Sequence, residues 1–296
     1  MCILVTGANG QLASCIKEVV ENRNIEKEFL FLDKEELDIT NIDNVERVFN
    51  ENPINIVVNC AAYTNVDDAI NNVEKAYKIN EQGPINLALC AKNYDAKMIH
   101  ISTDYVFNGE TNKPYSPGYK PSPCGVYGAS KLAGEDAIFN FDNTMIIRTS
   151  WLYSNYGRNF YKTIINRIHQ NLETHVVDDQ IGTPTYAMDL AEYIVDLIEL
   201  NNIPHKILHY SNNGCCSWYD FAKLIELIHN SMFPNYDLIK PCSTHDYWLK
   251  YGGKKTIRPF YSVLSKTETE ELNNKKINHW VESLYKCCID GYSLKI

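Results

Sequence analysis

ILVTGANGQLA, residues 3–13, decides the fold. The apolar run CILVT at 2–6 enters a turn built on Gly7 and Gly10, and a helical pattern follows over roughly 11–22. Gly7, Gly10 and Ala13 form G-x-x-G-x-x-A directly after a strand and at the opening of a helix. Small residues there let the backbone turn tightly and approach a pyrophosphate, and the helix N-terminus meets it with unpaired N–H groups and partial positive charge. A glycine pattern alone is weak. Strand, position and helix agree here, so a dinucleotide site is expected rather than a structural turn.

The same alternation continues outward. FLFLD (29–33), INIVVN (54–59), KMIHI (97–101) and TMIIR (144–148) are short, rich in β-branched residues and flanked by polar or turn residues, which predicts buried strands. Helical stretches over 42–51, 71–93 and 126–139 separate them, with Pro84 bending or restarting the third. Such a rhythm predicts an α/β, Rossmann-like doubly wound parallel sheet. Beyond about residue 150 the rhythm changes. Helices are expected at 158–170, 185–201, 217–230 and 277–290, and short strands at 175–178 and 206–210. Residues 231–265 read as irregular, with Pro234, Pro241, Gly252–Gly253 and Pro259. The expected organisation is a dinucleotide-binding domain over 1–150 and a smaller α/β substrate-binding lobe over 151–296, with the segment near 172–200 able to return to the first.

Asp33 ends the second strand about twenty residues after Ala13, where a carboxylate can bond the adenosine ribose 2′-OH and repel a 2′-phosphate. That favours NADH over NADPH, although Lys34 beside it softens the preference and a simple turn cap is the competing reading. Asp38 in LDIT (37–40) borders the adenine or caps a turn.

Three side chains then supply a proton. Tyr127 and Lys131 stand four apart on one face of the helix predicted at 126–139, and Thr103 lies just past a strand end. A free phenol titrates near 10. An ammonium beside it is expected to lower that value, which suits a general acid at neutral pH. Thr103 can orient a carbonyl oxygen on which charge develops as hydride arrives. Tyr219/Lys223, Tyr236/Lys240 and Tyr251/Lys255 repeat the spacing. They lack a preceding S-T strand end and are read as surface coincidences. Gly128, Ala129 and Ser130 are expected to let a nicotinamide approach.

Bulk properties exclude several classes. The net charge of −9 argues against general nucleic-acid binding while leaving room for a locally basic pocket. Ten scattered cysteines include no C-x-x-C pair, so no zinc site is predicted and reduced thiols of a cytoplasmic protein are expected. No secretory h-region or membrane-spanning run is present.

TGANGQL, LDIT, NCAAYTNVD, ISTDYVFNG, YGASKLAGE, RTSWLY followed by NF, DDQIGTPT and RPFYSVL occur in order along nearly the whole chain. Together they resemble the dTDP-4-dehydrorhamnose reductases, extended short-chain dehydrogenase/reductases that act on nucleotide sugars. The resemblance implies that Gly7, Asn9, Gly10, Gln11 and Leu12 hold the pyrophosphate. Asp33, Asp38 and Ile39 would face the adenosine, and Ala61, Ala62 and Tyr63 the middle of the cofactor. Tyr127 and Lys131 would also bond the nicotinamide ribose. Thr103, Asp104 and Trp151 would contact the sugar, with Trp151 as core packing the competing reading. Val66, Tyr105, Asn159, Gln180 and Arg258 are further candidates for the substrate cleft, Arg258 as a diphosphate clamp. Cys15 stands where some members carry a glutamate that helps bind magnesium between subunits. No metal is therefore predicted, and a homodimer stays open.

The expected reaction is NAD(P)H-dependent reduction of the C4 keto group of a nucleotide-diphosphate 4-keto-6-deoxy sugar. The competing readings are a bifunctional 3-epimerase/4-reductase on a UDP-sugar or UDP-N-acetyl-amino-sugar, and a non-catalytic nucleotide-binding regulatory subunit. Tyr105 stands near where GDP-fucose synthases carry a cysteine acid/base, which argues against that mechanism.

Overall fold

The computed structural model describes residues 1–200, 203–204, 206–231, 237–252 and 256–293. Pro234, Tyr236, Gly253 and Lys255 lie outside the described residues. The first half alternates β1 (Cys2–Thr6), α1 (Gln11–Asn22), β2 (Glu28–Leu32), α2 (Ile42–Glu51) and β3 (Ile54–Asn59). It continues with α3 (Val73–Tyr77), α4 (Gly83–Asn93), β4 (Lys97–Thr103), α5 (Val126–Ile138) and β5 (Thr144–Thr149). The 71–93 stretch stays helical past Pro84: α3 runs through a π turn at Lys78–Gln82 straight into α4, and this local widening just ahead of Pro84 accommodates the ring without ending the helix.

The second half contains β6 (Leu152–Tyr153), α6 (Phe160–His169), β7 (Thr174–Val177), β8 (Ile181–Gly182), β9 (Thr185–Tyr186) and α7 (Ala187–Glu199). After these come β10 (Ile207–His209), β11 (Cys216–Ser217), α8 (Trp218–Asn230), β12 (Ile239–Cys242), α9 (Thr244–Tyr251), α10 (Thr267–Asn273) and α11 (Trp280–Ser293). The segment read as irregular thus holds β12 and α9. β12 pairs with β7 in a separate two-stranded sheet, whose edge tolerates Pro241. Ser243 caps α9 by accepting from Asp246 N–H.

Six strands form one parallel sheet in the order β2-β1-β3-β4-β5-β10. Ile3, Leu4, Val5, Val57 and Val58 are fully buried, and each such side chain contributes about 1.5–3 kcal/mol of hydrophobic stabilisation. Alternate residues feed two apolar layers: Ile3 and Val5 pack with α1, α6 and α7, and Leu4 and Val57 with α2, α4 and α5. β10 and α7 therefore attach to the sheet begun by the first half, with β10 beside β5 and α7 against α1. Strand order reverses between β1 and β3, and the crevice outside their carboxyl ends is where open α/β sheets bind ligands.

Candidate active site

A cleft of about 1040 Å³ opens at that switch point. Its floor is the glycine turn. Gly7 has φ +67°, and a Cβ there would come within 3.0 Å of the Ala61 backbone, so only glycine keeps β1 and β3 this close. Gly10 N–H donates to Gly7 O at 2.8 Å and closes the turn. No side chain caps α1 at Gly10, so its first-turn amides face the cleft as an anion cradle. Asn9, Gln11, Leu12, Asp33, Asp38, Ile39, Ala61 and Ala62 line the same wall. This donor set and open cradle fit a dinucleotide.

Asp33 caps the turn after β2 at the edge of the cleft. Its carboxylate accepts from Glu35 N–H at 2.8 Å and from Asn9 Nδ2, and it borders the cleft. Asp38 accepts from Thr40 N–H at 3.0 Å and Thr40 Oγ1 at 2.7 Å while also lining it. Lys34 adds positive charge, as do Lys75, Lys78 and Arg158, which the sequence motifs did not single out. Despite the net charge of −9, the pocket is locally basic.

Thr103, Tyr127 and Lys131 converge across the cleft. β4 delivers Thr103 at its carboxyl end, and α5 delivers the other two. Close contact of α5 with the loop after β4 brings them together. A Cβ on Gly128 would fall 2.1 Å from Tyr105 O, and one on Gly134 2.0 Å from Asn80 O. The small residues after Tyr127 therefore serve helix docking, not nicotinamide approach as the sequence suggested. Gly128, Ala129 and Ser130 are absent from the cleft wall, and Ser130 Oγ accepts from Asn80 Nδ2 at 3.0 Å.

The electrostatics also correct an expectation. Burial pushes the Tyr127 phenol up to about 12; Thr103 opposes the shift and the neighbouring Asp104 carboxyl adds to it. Lys131 is itself pulled down to about 8 by burial. Its Nζ donates to Ile101 O at 2.7 Å and lies 3.3 Å from His100 Nε2. Tyr127 is thus fully protonated at neutral pH, the form a proton donor requires. Thr103 Oγ1 accepts from Tyr105 N–H at 3.2 Å and donates to Asp104 Oδ1 at 3.1 Å. Burial pushes the Asp104 carboxyl up to about 7, against hydrogen bonds from Ser262 and Thr103.

The opposite wall comes from the second half. Trp151 has φ +46°, a strained value for a bulky side chain. It is held by a stack on Trp218, with centroids 3.6 Å apart and planes 10° off parallel. Gly182 makes room for the indole, since a Cβ there would come within 2.5 Å of it. Trp218 lines the cleft, and sequence reading missed it because nothing local ties it to a residue 67 positions earlier. Val66, Tyr105, Asn159 and Arg258 also line the cleft. Arg258 forms an ion pair with Asp67 at 2.8 Å. Asn159 caps α6 and bonds Gln11 Oε1 at 3.2 Å, so its polar atoms are committed to the framework.

Tyr63 and Gln180 are not in the cleft wall. Tyr63 turns its hydroxyl to Asp68, and Gln180 is buried on Thr244 Oγ1 at 2.8 Å. Cys15 is buried in the apolar layer with α1. Among the described residues no cluster of His, Cys, Asp or Glu is arranged to hold a metal, and no helix is long and apolar enough to cross a membrane.

The RmlD substrate binding domain family matches residues 1–292. The spore coat polysaccharide biosynthesis protein SpsK of Bacillus subtilis is 39% identical, with 95% of each chain covered. The dTDP-4-dehydrorhamnose reductase of Aggregatibacter actinomycetemcomitans is 36% identical over 95% of this chain and 96% of its own. A dTDP-4-dehydrorhamnose reductase from Bacillus anthracis, crystallised with NADP, superposes with TM-score 0.89 at 38% identity, covering 98% of this chain and 99% of that one. The chain belongs to the RmlD substrate binding domain family, the NAD(P)H-dependent nucleotide-sugar 4-keto reductases of the extended short-chain dehydrogenase/reductase type.

Proposed function

We propose that this protein reduces the C4 keto group of dTDP-4-dehydrorhamnose to yield dTDP-L-rhamnose. The observation that carries the reading is the convergence of Thr103, Tyr127 and Lys131 on a cleft whose other end is a dinucleotide cradle. NAD(P)H supplies the hydride. Gly7, Asn9, Gly10, Gln11 and Leu12 hold its pyrophosphate, Asp33, Asp38 and Ile39 its adenosine, and Ala61 and Ala62 its middle. Asp33 favours NADH by repelling a 2′-phosphate, and Lys34 narrows that preference. Residues 1–150, with α7 and β10, form the cofactor side, and the rest of the second half forms the substrate side.

The keto oxygen gains negative charge as the hydride arrives. Thr103 Oγ1 orients that oxygen and Tyr127 Oη donates the proton. Lys131 keeps the positive potential at the base of the cleft. Asp104, Trp151 and Trp218 bound the sugar, and Arg258 meets the diphosphate by exchanging Asp67 for phosphate oxygens. Burial pushes the Tyr105 phenol well above its ordinary range. It is therefore no base for deprotonating a sugar carbon, which supports reduction without epimerisation.

The test is NAD(P)H oxidation with dTDP- and UDP-linked 4-keto-6-deoxy-hexuloses, with and without a separate 3,5-epimerase. Turnover of the dTDP sugar only after epimerase treatment is expected. Turnover without it would replace the reading by a bifunctional enzyme, and preference for a UDP sugar would replace the substrate.

A further inference from the structure

Thr103 has one proton and more than one acceptor for it. Thr103 ends β4 and caps the turn Asp104–Val106, so one lone pair of its Oγ1 accepts from Tyr105 N–H at 3.2 Å. The same oxygen lies 3.1 Å from Asp104 Oδ1 and bears on the Tyr127 phenol. A hydroxyl has a single proton and two lone pairs, whereas a carboxylate can only accept. Hydrogen bonds to an ionised acceptor are roughly twice as strong as those between neutral groups. With Asp104 ionised, the Thr103 proton therefore points at Asp104, and Thr103 has none to offer a keto oxygen in the cleft.

The surroundings of Asp104 do not favour that ionised form. The side chain lines the cleft and is 1% exposed, and its Oδ2 makes no hydrogen bond among the described residues. The groups that oppose its shift are neutral: Ser262, Thr103 and the backbone amides of its own turn. Two titratable side chains feel its charge directly, Tyr105 on that turn and Tyr127 on α5. Lys131 and Glu135 follow Tyr127 along α5, and the Arg258–Asp67 pair stands beyond Tyr105. Burial raises the carboxyl to about 7, so both of its forms are populated at neutral pH. The neutral form has a hydroxyl of its own. Carried on Oδ1, that hydroxyl donates across the existing contact to the second lone pair of Thr103, and the Thr103 proton is free to turn into the cleft. Removing the carboxylate charge also takes away one influence that raises Tyr127, which leaves the phenol a better acid.

We propose that Asp104 is a positioning residue that works in its neutral form: its hydroxyl donates to Thr103, and Thr103 donates in turn to the keto oxygen of the substrate. The proposal rests on the reading of Thr103 as the group that orients that oxygen. No proton leaves Asp104 or Thr103 during the reaction, and Tyr127 alone transfers one. Ionisation of Asp104 reverses the first hydrogen bond and withdraws the second.

The first test needs no turnover. Infrared spectra of the protein carrying ¹³C at aspartate Cγ should show the isotope-shifted stretch of a neutral carboxyl at about pH 6, lost by about pH 9 and missing from Asp104→Asn. A spectrum with only carboxylate bands at the lower pH overturns the proposal. The second test is the pH profile of kcat/KM for the 4-keto sugar at saturating NAD(P)H. It should fall by about tenfold per pH unit above an inflection near 7. A profile that rises through this range would show an ionised Asp104 accepting from a sugar hydroxyl and overturns the proposal, as does a flat one. Asp104→Asn, whose NH₂ can donate to Thr103, should keep turnover within about tenfold of wild type at neutral pH. It should lose the lower inflection and retain only the limb from Lys131, which burial holds at about 8. An unchanged profile in the variant overturns the proposal. If Asp104→Asn does not fold, the direction of the wild-type profile decides. A different nucleotide sugar as substrate would replace the functional reading and leave the infrared band and the profile as they are, so the two readings fail separately.

Discussion

Replacing Asp104 by Asn removes a carboxyl that the fold holds in an unfavourable state. Asp104 is 1% exposed, and its Oδ2 has no hydrogen-bond partner among the described residues. Burial raises the carboxyl from the ordinary 3.8 to about 7. Because the folded value lies above the ordinary one, the native state binds more protons than the unfolded chain between about pH 4 and 7. Stability is lost as pH rises through that window, by about 4 kcal/mol in all at roughly 1.4 kcal/mol per unit. Asn keeps an acceptor for Thr103 and cannot ionise. The difference in unfolding free energy, Asp104→Asn minus wild type, should therefore swing toward the variant by about 3 kcal/mol between pH 5 and pH 8. Urea unfolding at several pH values measures this. A difference that stays flat, or grows in favour of wild type with rising pH, would refute the claim that this carboxyl is buried without adequate partners.

Tyr127→Phe should lower kcat by about 10²–10⁴-fold while cofactor binding changes by no more than a few-fold. Near-normal turnover would remove Tyr127 as the proton donor. Asp33→Ala should weaken NADH relative to NADPH by roughly tenfold or more, the worth of a charged hydrogen bond, and an unchanged ratio of dissociation constants would end its assignment to the ribose. Glu135→Gln breaks a buried ion pair, since Arg148 Nη2 lies 2.6 Å from Glu135 Oε2 with both side chains 2% exposed. The uncompensated guanidinium should cost about 3–5 kcal/mol in urea unfolding, and a loss below about 1 kcal/mol would show that the pair is dispensable.

Much of the molecule is legible along the chain because its signals are local. Strands buried on both faces read as continuous apolar runs, which is why β1, β3, β4 and β5 could be placed within a residue or two. The glycine turn and the Tyr127–Lys131 spacing are likewise short-range geometry. β12 and α9 escaped notice because prolines and a polar, Lys- and Tyr-rich composition mask short elements stabilised by pairing with β7 and by the Ser243 cap.

By itself the sequence determined the βαβ rhythm, the dinucleotide cradle and the residue types able to deliver a proton, since each depends on periodicity or on spacing within one turn of chain. Only the tertiary structure decided that Trp151 leans on Trp218, that Gly128 and Gly134 serve helix docking, and that Thr6, Asn59 and His100 line up behind Lys131. It also set the direction in which Tyr127 is shifted. These properties arise from strand register and from burial, which sum contributions from residues tens of positions apart. No local pattern encodes how much water a phenol or a carboxyl loses when those segments close over it.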